Sequence, residues 1–417
     1  MAQLTDDCFA FGGPLLTIED AARLMAERIA PVAGTEMLPL HLADGRVLAA
    51  DLVAGLPLPP FANSAVDGYA VRHADLAAAG QTRLPVLGRV AAGAAAAAAP
   101  VAGGAVRVFT GAPMPPGADT VYMQEDVTVE GDVVALPGGL KRGANMRLAG
   151  EDIALGSQAL QAGTRLGPQH LAMAAALGKS QLPVRRKLKV GVFSTGDELT
   201  EAGLPLPEAG IHDSNRIMLL SLVQRAGAEA IDLGILKDRQ GELAMRLKQA
   251  AGQCDLVLTS GGVSTGEEDH VKPAVESIGS LVFWRIAIKP GRPVALGVID
   301  GKAFVGLPGN PVAVFVTFAF VVRPLLARLS GALWREPRRV LVKAGFGYRK
   351  KPGRREYVRV TLAALADGQF EAHKHPRDGA GVLTSLTETD GLIELTDDMT
   401  ELAVGAAVPF IGYRDLT

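Results

Sequence analysis

Between residues 187 and 329, apolar runs of strand length alternate with stretches of helical spacing, and this rhythm limits the possible folds most severely. KLKVGVFSTG (187–196), Glu229 to Leu236 and DLVLTSGG (255–262) read as strands. Asn215 to Ala226, Arg239 to Ala251 and His270 to Ser277 read as helices between and after them. LVFWRIAIKPG (281–291), PVALGVI (293–299) and FVGLPGNP (304–311) follow, and an apolar helix is expected over 311–322. Strands alternating with helices predict a mostly parallel sheet covered on both faces, a central three-layer α/β/α domain. In that architecture ligands bind beyond the carboxyl ends of the strands.

The flanks read differently. Thr17 to Ala30 has helical spacing, with Thr17 as cap and Asp20 three residues on. Residues 70–150 carry short apolar runs broken by Gly, Pro and Asp, which predicts a β-rich domain. The alanine run 94–99 fits a loop or edge strand better than a helix. Another short helix is expected over 164–178, and from about 337 the spacing returns to β, predicting a small C-terminal β domain. A length of 417 residues corresponds to about three domains of ordinary size.

Several function classes lose support at this level. The 42 Lys plus Arg nearly balance 44 Asp plus Glu, so no global basic field exists to attract nucleic acid or an anionic membrane. Two cysteines cannot build a disulfide framework or a thiolate metal site on their own. The N-terminal stretch lacks the pattern of a secretory signal, and the run VAVFVTFAFVV (312–322), followed by Arg323 and Pro324, reads as a buried helix too short to span a bilayer. A cytoplasmic protein is expected. Gly (49) and Pro (26) exceed ordinary usage, while a mean hydropathy of +0.22 indicates a folded chain, so the excess belongs in ordered loops.

Four loops follow strands of the central region: Ser194-Thr195-Gly196-Asp197-Glu198, the stretch ending at Asp238, Ser260 to Asp269, and Gly306 to Pro311. Glycines and hydroxyls at strand ends allow close backbone approach to an anionic ligand. GxGxxG after the first strand, GxxxxGK[ST] and HExxH are all absent, which argues against dinucleotide, P-loop and zincin chemistry. Asp197, Asp238 and Asp269 offer hard oxygen ligands suited to magnesium beside phosphates, although each Asp also fits a helix cap. Lys289 and Arg292 in KPGRP can clamp an oxyanion. RKKPGRR (349–355) reads either as a basic groove or as a solvated loop.

PPFANSAVDGYAV (59–71), VRVFTGAPMPPGADTVYMQED (106–126), GEDI (150–153), VGVFSTGDEL (190–199), DSNR (213–216), TSGGVSTGEEDH (259–270), FWRIAIKPGRPV (283–294) and GLPGNPV (306–312) occur in that order along the chain. Together they resemble the molybdopterin molybdenumtransferase (MoeA-like) family, which inserts molybdate in the last step of molybdenum-cofactor synthesis. The resemblance implies a homodimer of four-domain subunits: 1–54 with 151–185 as a discontinuous N-terminal domain, 55–150 as a β-rich insertion, 186–336 as the molybdopterin-binding domain, and 337–417 as the C-terminal β domain. It implies a cleft shared between subunits and adenylylated molybdopterin as substrate, supplied by a separate adenylyltransferase. Molybdate and Mg2+ take part, and AMP and molybdenum cofactor are the products. By the same resemblance Asp67, Thr110, Glu198 and Asp238 carry catalysis, and Asp197, Asp238 and Asp269 handle the cation. Ser194, Thr195, Gly196, Ser260, Gly261, Gly262, Ser264, Lys289, Arg292, Pro308, Pro311 and Arg354 bind substrate.

The chain departs from the family pattern at Ala313 and Ala380, where serines are usual, and at His270, where Tyr is common. If those hydroxyls hold molybdate in relatives, backbone N–H groups, water or the basic side chains must do so here. Two other readings use the same central domain: an adenylyltransferase or nucleotide hydrolase, and a non-enzymatic molybdopterin carrier or scaffold.

Overall fold

A computed structural model describes residues 4–5, 8–9, 15–95, 101–236, 240–262, 270–291 and 293–417. Its centre is a six-stranded sheet built from β1 (Lys189–Thr195), β2 (Glu229–Leu236), β3 (Leu256–Ser260), β4 (Gly279–Arg285), β5 (Pro293–Ile299) and β6 (Lys302–Leu307), in the order β2-β1-β3-β6-β5-β4. β1 and β3 are buried almost throughout because both faces are covered. Val190, Val192, Leu256 and Leu258 pack into one core with α1 (Asn215–Arg225) and the apolar helix that begins at Pro311. Phe193, Val257 and Phe304 point the other way, into a second core with α2 (Gln240–Gln253) and α3 (Val271–Glu276). The strand period of two thus distributes one apolar run over two cores.

The sheet is mixed rather than mostly parallel. β2, β1, β3 and β6 are parallel, but β6, β5 and β4 form antiparallel pairs. No helix separates these last three strands, so no crossover exists to make them parallel. Asp300 (φ 48°) and Gly301 (φ 73°) join Ile299 to its partner Lys302 in a two-residue turn with both φ positive, the hairpin geometry that Asp-Gly favours.

The apolar helix also differs from expectation. It continues past Arg323 and Pro324 to Ser330 and stops at Gly331 in the left-handed conformation. Residues Phe318–Val322 form a π-helical segment in which the Arg323 N–H donates to the Phe318 carbonyl, five residues back. That wider turn falls where Pro324 brings no N–H of its own. The stretch Pro311–Ser330 has 20 residues and contains an 18-residue window of mean hydropathy 1.9, long and apolar enough to cross a membrane, yet 89% of that window is buried inside the protein.

Helix Ile18–Arg28 forms as its cap predicts, with Thr17 Oγ1 accepting from the Asp20 N–H at 3.0 Å. Strand Thr35–Pro39 pairs antiparallel with Gln181–Arg185, so the chain returns to its N-terminal part after residues 55–150. Those intervening residues carry a second six-stranded sheet, which includes Gly68–Val71 and Ala105–Val108. Most of the alanine run lies outside the described residues.

The C-terminal region is a closed β structure. β7 (Arg355–Ala364) pairs with Phe370–Lys374 on one side and Gly391–Leu395 on the other, and the ring closes through Val340–Ala344 and Ala407–Gly412. A two-residue strand from the α/β region, Ile288–Lys289, pairs parallel with Arg355–Glu356. This addition brings the KPG turn against the barrel.

Candidate active site

Three loops leaving the parallel half of the sheet meet at the start of α1. Asn215, its first residue, donates through Nδ2 to Ser260 Oγ at 2.8 Å and to the Gly309 carbonyl at 2.6 Å. One amide therefore ties the loop after β3 to the loop after β6. Its neighbours fix it in turn: Arg216 is buried, its Nε 3.0 Å from Asp213, with Asp232 and Glu201 also paired to its guanidinium. In the loop after β3, Gly262 (φ +67°) admits no side chain. A Cβ there would lie 2.4 Å from Val271 Cγ2 and 2.6 Å from Thr195 Cγ2.

Around this knot lies a cleft with two lobes. The first, about 300 Å3, is lined by Thr195, Glu198, Asp213, Asn215, Ser260 and Pro311, among others. Thr195 Oγ1 and Asn215 Oδ1 are buried without a hydrogen-bond partner among the described residues, as is Ser194 Oγ one residue earlier. Unpaired buried polar atoms at a cavity are costly unless a ligand or water satisfies them. The second lobe, about 600 Å3, shares Gly261 and Gly309 with the first and opens between the α/β region and the barrel. Gly262, Lys289, Pro308 and Asn310 form one wall, and Tyr348, Glu356, Arg359 and Asp378 the other.

Glu356 organises the second lobe. Its carboxylate is 1% exposed and accepts from Lys289 Nζ (3.0 Å), Tyr348 Oη (2.9 Å) and Arg354 Nε (2.8 Å). Burial alone would raise its pKa. The hydrogen bonds from Lys289 and Tyr348, with the charges of Lys289 and Arg354, outweigh burial and hold it below the ordinary carboxylate value. The same burial, aided by the bond to Glu356, pushes the Tyr348 phenol far up, so it stays a donor. Arg359, 6% exposed, is held by Ser385 Oγ at 3.1 Å and by the carbonyls of Arg377 and Gly379.

The residues named from sequence divide clearly. Thr195, Glu198, Ser260, Gly261, Gly262, Lys289, Pro308 and Pro311 line the cleft, and Arg354 reaches it through Glu356. Ser194 and Gly196 flank Thr195 without lining either lobe. Asp67 and Thr110 also lie off both lobes, in loops beside the strands Gly68–Val71 and Ala105–Val108 of the 55–150 region. There Asp67 Oδ1 accepts from the Thr110 N–H (2.7 Å) and Oγ1 (2.8 Å), and those two bonds, backbone first, lower its pKa. Asp197 is exposed, while Asp238, Ser264, Asp269 and Arg292 fall outside the described residues. Among the described residues no group of three metal-ligating side chains comes together.

Ala313 and Ala380 both line the larger lobe, so the missing hydroxyls are missing from its wall. RKKPGRR is divided: Lys351 is exposed, whereas Arg354 and Arg355 are engaged with carboxylates. Glu356, Tyr348, Arg359 and Asn215 were not expected in the cleft. Only Asn215 carried a signal, in DSNR opening a helix after a strand-end loop.

A cleft at the carboxyl ends of parallel strands, walled by hydroxyls, glycines and fixed cations, defines the class: an α/β protein that seats a small anionic ligand. Residues 16–178 match the family model described as "MoeA N-terminal region (domain I and II)", 191–328 match "Probable molybdopterin binding domain", and 342–413 match "MoeA C-terminal region (domain IV)". The chain is 38% identical over 404 residues to the molybdopterin molybdenumtransferase of Haemophilus influenzae, covering 96% of this chain and 100% of that one. It is 35% identical over 408 residues to the molybdopterin molybdenumtransferase of Nostoc, covering 95% and 93%. The crystal structure of the molybdopterin biosynthesis moeA protein from Pyrococcus horikoshii OT3 superposes with a TM-score of 0.81 at 33% identity, covering 96% of this chain and 100% of that one. The chain belongs to the molybdopterin molybdenumtransferase family.

Proposed function

We propose that this chain transfers molybdate to adenylylated molybdopterin, releasing AMP and molybdenum cofactor. Supporting this most directly is the two-lobed cleft, in a chain alike from end to end to named molybdenumtransferases. In this reading the unpaired Thr195 hydroxyl and Asn215 carbonyl meet polar edges of the pterin in the smaller lobe. Lys289 and Arg359 meet the oxyanion in the larger one, Lys289 held by Glu356, which Arg354 also pairs, and Arg359 by the barrel carbonyls. The dithiolene sulfurs that bind molybdenum belong to the substrate, because the two cysteines are buried in the cores.

Mg2+ would supply charge neutralisation at the substrate phosphates. Asp197, Asp238 and Asp269 remain its proposed ligands, without a described geometry. The P–O bond of the pyrophosphate bridge breaks and AMP leaves, with Asp67 or Asp238 positioning water and Thr110 fixing Asp67. Since Asp67 and Thr110 lie off the cleft of their own chain, a homodimer in which they reach the partner's cleft fits the reading. The remaining proposals are a separate adenylyltransferase as source of the substrate and a cytoplasmic location.

Purified protein incubated with adenylylated molybdopterin, Mg2+ and molybdate should release AMP and yield active cofactor. AMP release that is indifferent to molybdate, with no active cofactor, overturns the reading in favour of a nucleotide hydrolase.

A further inference from the structure

Away from the cleft, a second cavity of about 300 Å3 lies where the N-terminal region, the end of α1, the long apolar helix and the linker to the barrel converge. It shares no lining residue with either lobe of the cleft. Arg165, Arg225, Arg323 and Arg335 line it from four separate segments, with His170 and Trp334 beside them. None of the four arginines forms an ion pair with a side-chain carboxylate among the described residues. Neutral groups hold three of them instead. Arg165 donates to the carbonyls of Gly45 (3.0 Å) and Ala226 (2.9 Å), Arg323 to the carbonyl of Asp415 (2.9 Å), and Arg225 to Thr417 Oγ1 (3.4 Å). The Arg323 guanidinium also sits 5.6 Å from the centre of the Trp334 ring. Of the nearby acids, Glu336 is turned to Trp334 Nε1 and Arg339, and the Asp415 carboxylate pairs with none of the four.

Guanidinium groups do not shed their protons, so a cluster of four cannot relieve its own repulsion by titration. Burial and then the charge of Arg165 lower the pKa of Arg323 against a smaller opposing pull from the Asp415 charge, and burial also lowers that of Arg165. The forks of Arg165, Arg225 and Arg323 are held by carbonyls, a hydroxyl or an aromatic ring, all neutral, so their orientation is set while their charge stays available. A tetrahedral dianion satisfies both demands, since its oxygens take paired N–H donors and its charge offsets two guanidiniums. The volume admits such an anion with a small organic substituent.

We infer that this cavity is a binding site for a phosphate dianion, free or as the terminus of a phosphomonoester. The test is calorimetric titration of the full chain at constant ionic strength, with inorganic phosphate in one arm and phenyl phosphate in the other. Arg323→Gln should weaken binding about tenfold, the equivalent of one charge-assisted hydrogen bond. Should Arg323→Gln fail to fold, the double variant Arg225→Gln/Arg335→Gln, at two exposed positions, should weaken it at least as much. Lys289→Gln, in the cleft, should leave this binding in place, and Arg225→Gln should leave molybdate-dependent AMP release unchanged. Tighter phenyl phosphate identifies a monoester as the ligand type, and tighter inorganic phosphate identifies the free ion. Absence of binding in both arms, or binding that survives the arginine variants, overturns the inference.

Discussion

In the cleft, Lys289 and Arg354 close on an acid, Glu356, that the barrel buries beneath them. In the second cavity, three of four arginines close on carbonyls, a hydroxyl and an indole, with no Asp or Glu among the lining residues. The first arrangement fixes cations while cancelling much of their field, so a ligand meets donors of set position and moderate pull. The second fixes cations and leaves more of their field in place. Positive charge in a pocket therefore has two structural meanings, and the counter-ion distinguishes them.

Removing the counter-ion from the cleft tests that distinction most severely. Glu356→Gln keeps the shape but leaves Lys289 and Arg354 without a charged partner. Loss of position should lower kcat/KM about a hundredfold, and the altered buried network should cost about 2 kcal/mol in stability. If unfolding and the molybdate KM stay at wild-type values, the ordering role of Glu356 is wrong.

Closing the backbone gap near the smaller lobe should have the next largest effect. Gly262→Ala drives a methyl group into Val271 and Thr195 at a positive φ, costing about 2 kcal/mol. A cleft that tolerates it, with wild-type Tm and turnover, must have looser walls than these contacts imply.

Acid brings the cleft towards the condition of the second cavity. Because the folded pKa of Glu356 lies below its ordinary 4.5, its stabilising contribution is complete above that value and is lost as pH falls through the lower one. As pH falls below 4.5, Tm should fall more steeply for wild type than for Glu356→Gln. Equal slopes would detach the carboxylate from stability.

The smallest effect comes from the reverse exchange. Ala332→Glu adds a side-chain carboxylate to the lining of the second cavity and should raise Tm by about 1 °C while abolishing the phosphate response. A retained phosphate response would show that the arginines do not act through their uncompensated charge.

How much of this was legible in the sequence depended on range. Thr17 with Asp20, the strand VGVF and the glycines of TSGG are local signals, and each is realised at its own position. Asp300-Gly301 is equally local and announces the antiparallel hairpin, which the alternation of strands and helices elsewhere in the region masks. Glu356 could not be found that way. In REYVRV, strand alternation puts a charged residue on each face, and only the barrel meeting the KPG turn decides that Glu356 is buried. The arginine cavity was less visible still, since Arg165 and Arg335 are 170 positions apart in the chain.

The pairing of Ile288–Lys289 with Arg355–Glu356 has a mechanical consequence. The segment leaves β4 and re-enters at β5, strands hydrogen-bonded to each other, so both its ends are anchored in the α/β sheet while its middle is stitched into the barrel. It acts as a strut. Any twist of the barrel against the α/β body loads the backbone on either side of Lys289 and Glu356 at once, and the two halves of the cleft cannot swing apart without unzipping the segment. Opening for substrate must then come from the loops at the rim, while the seam beneath keeps its spacing.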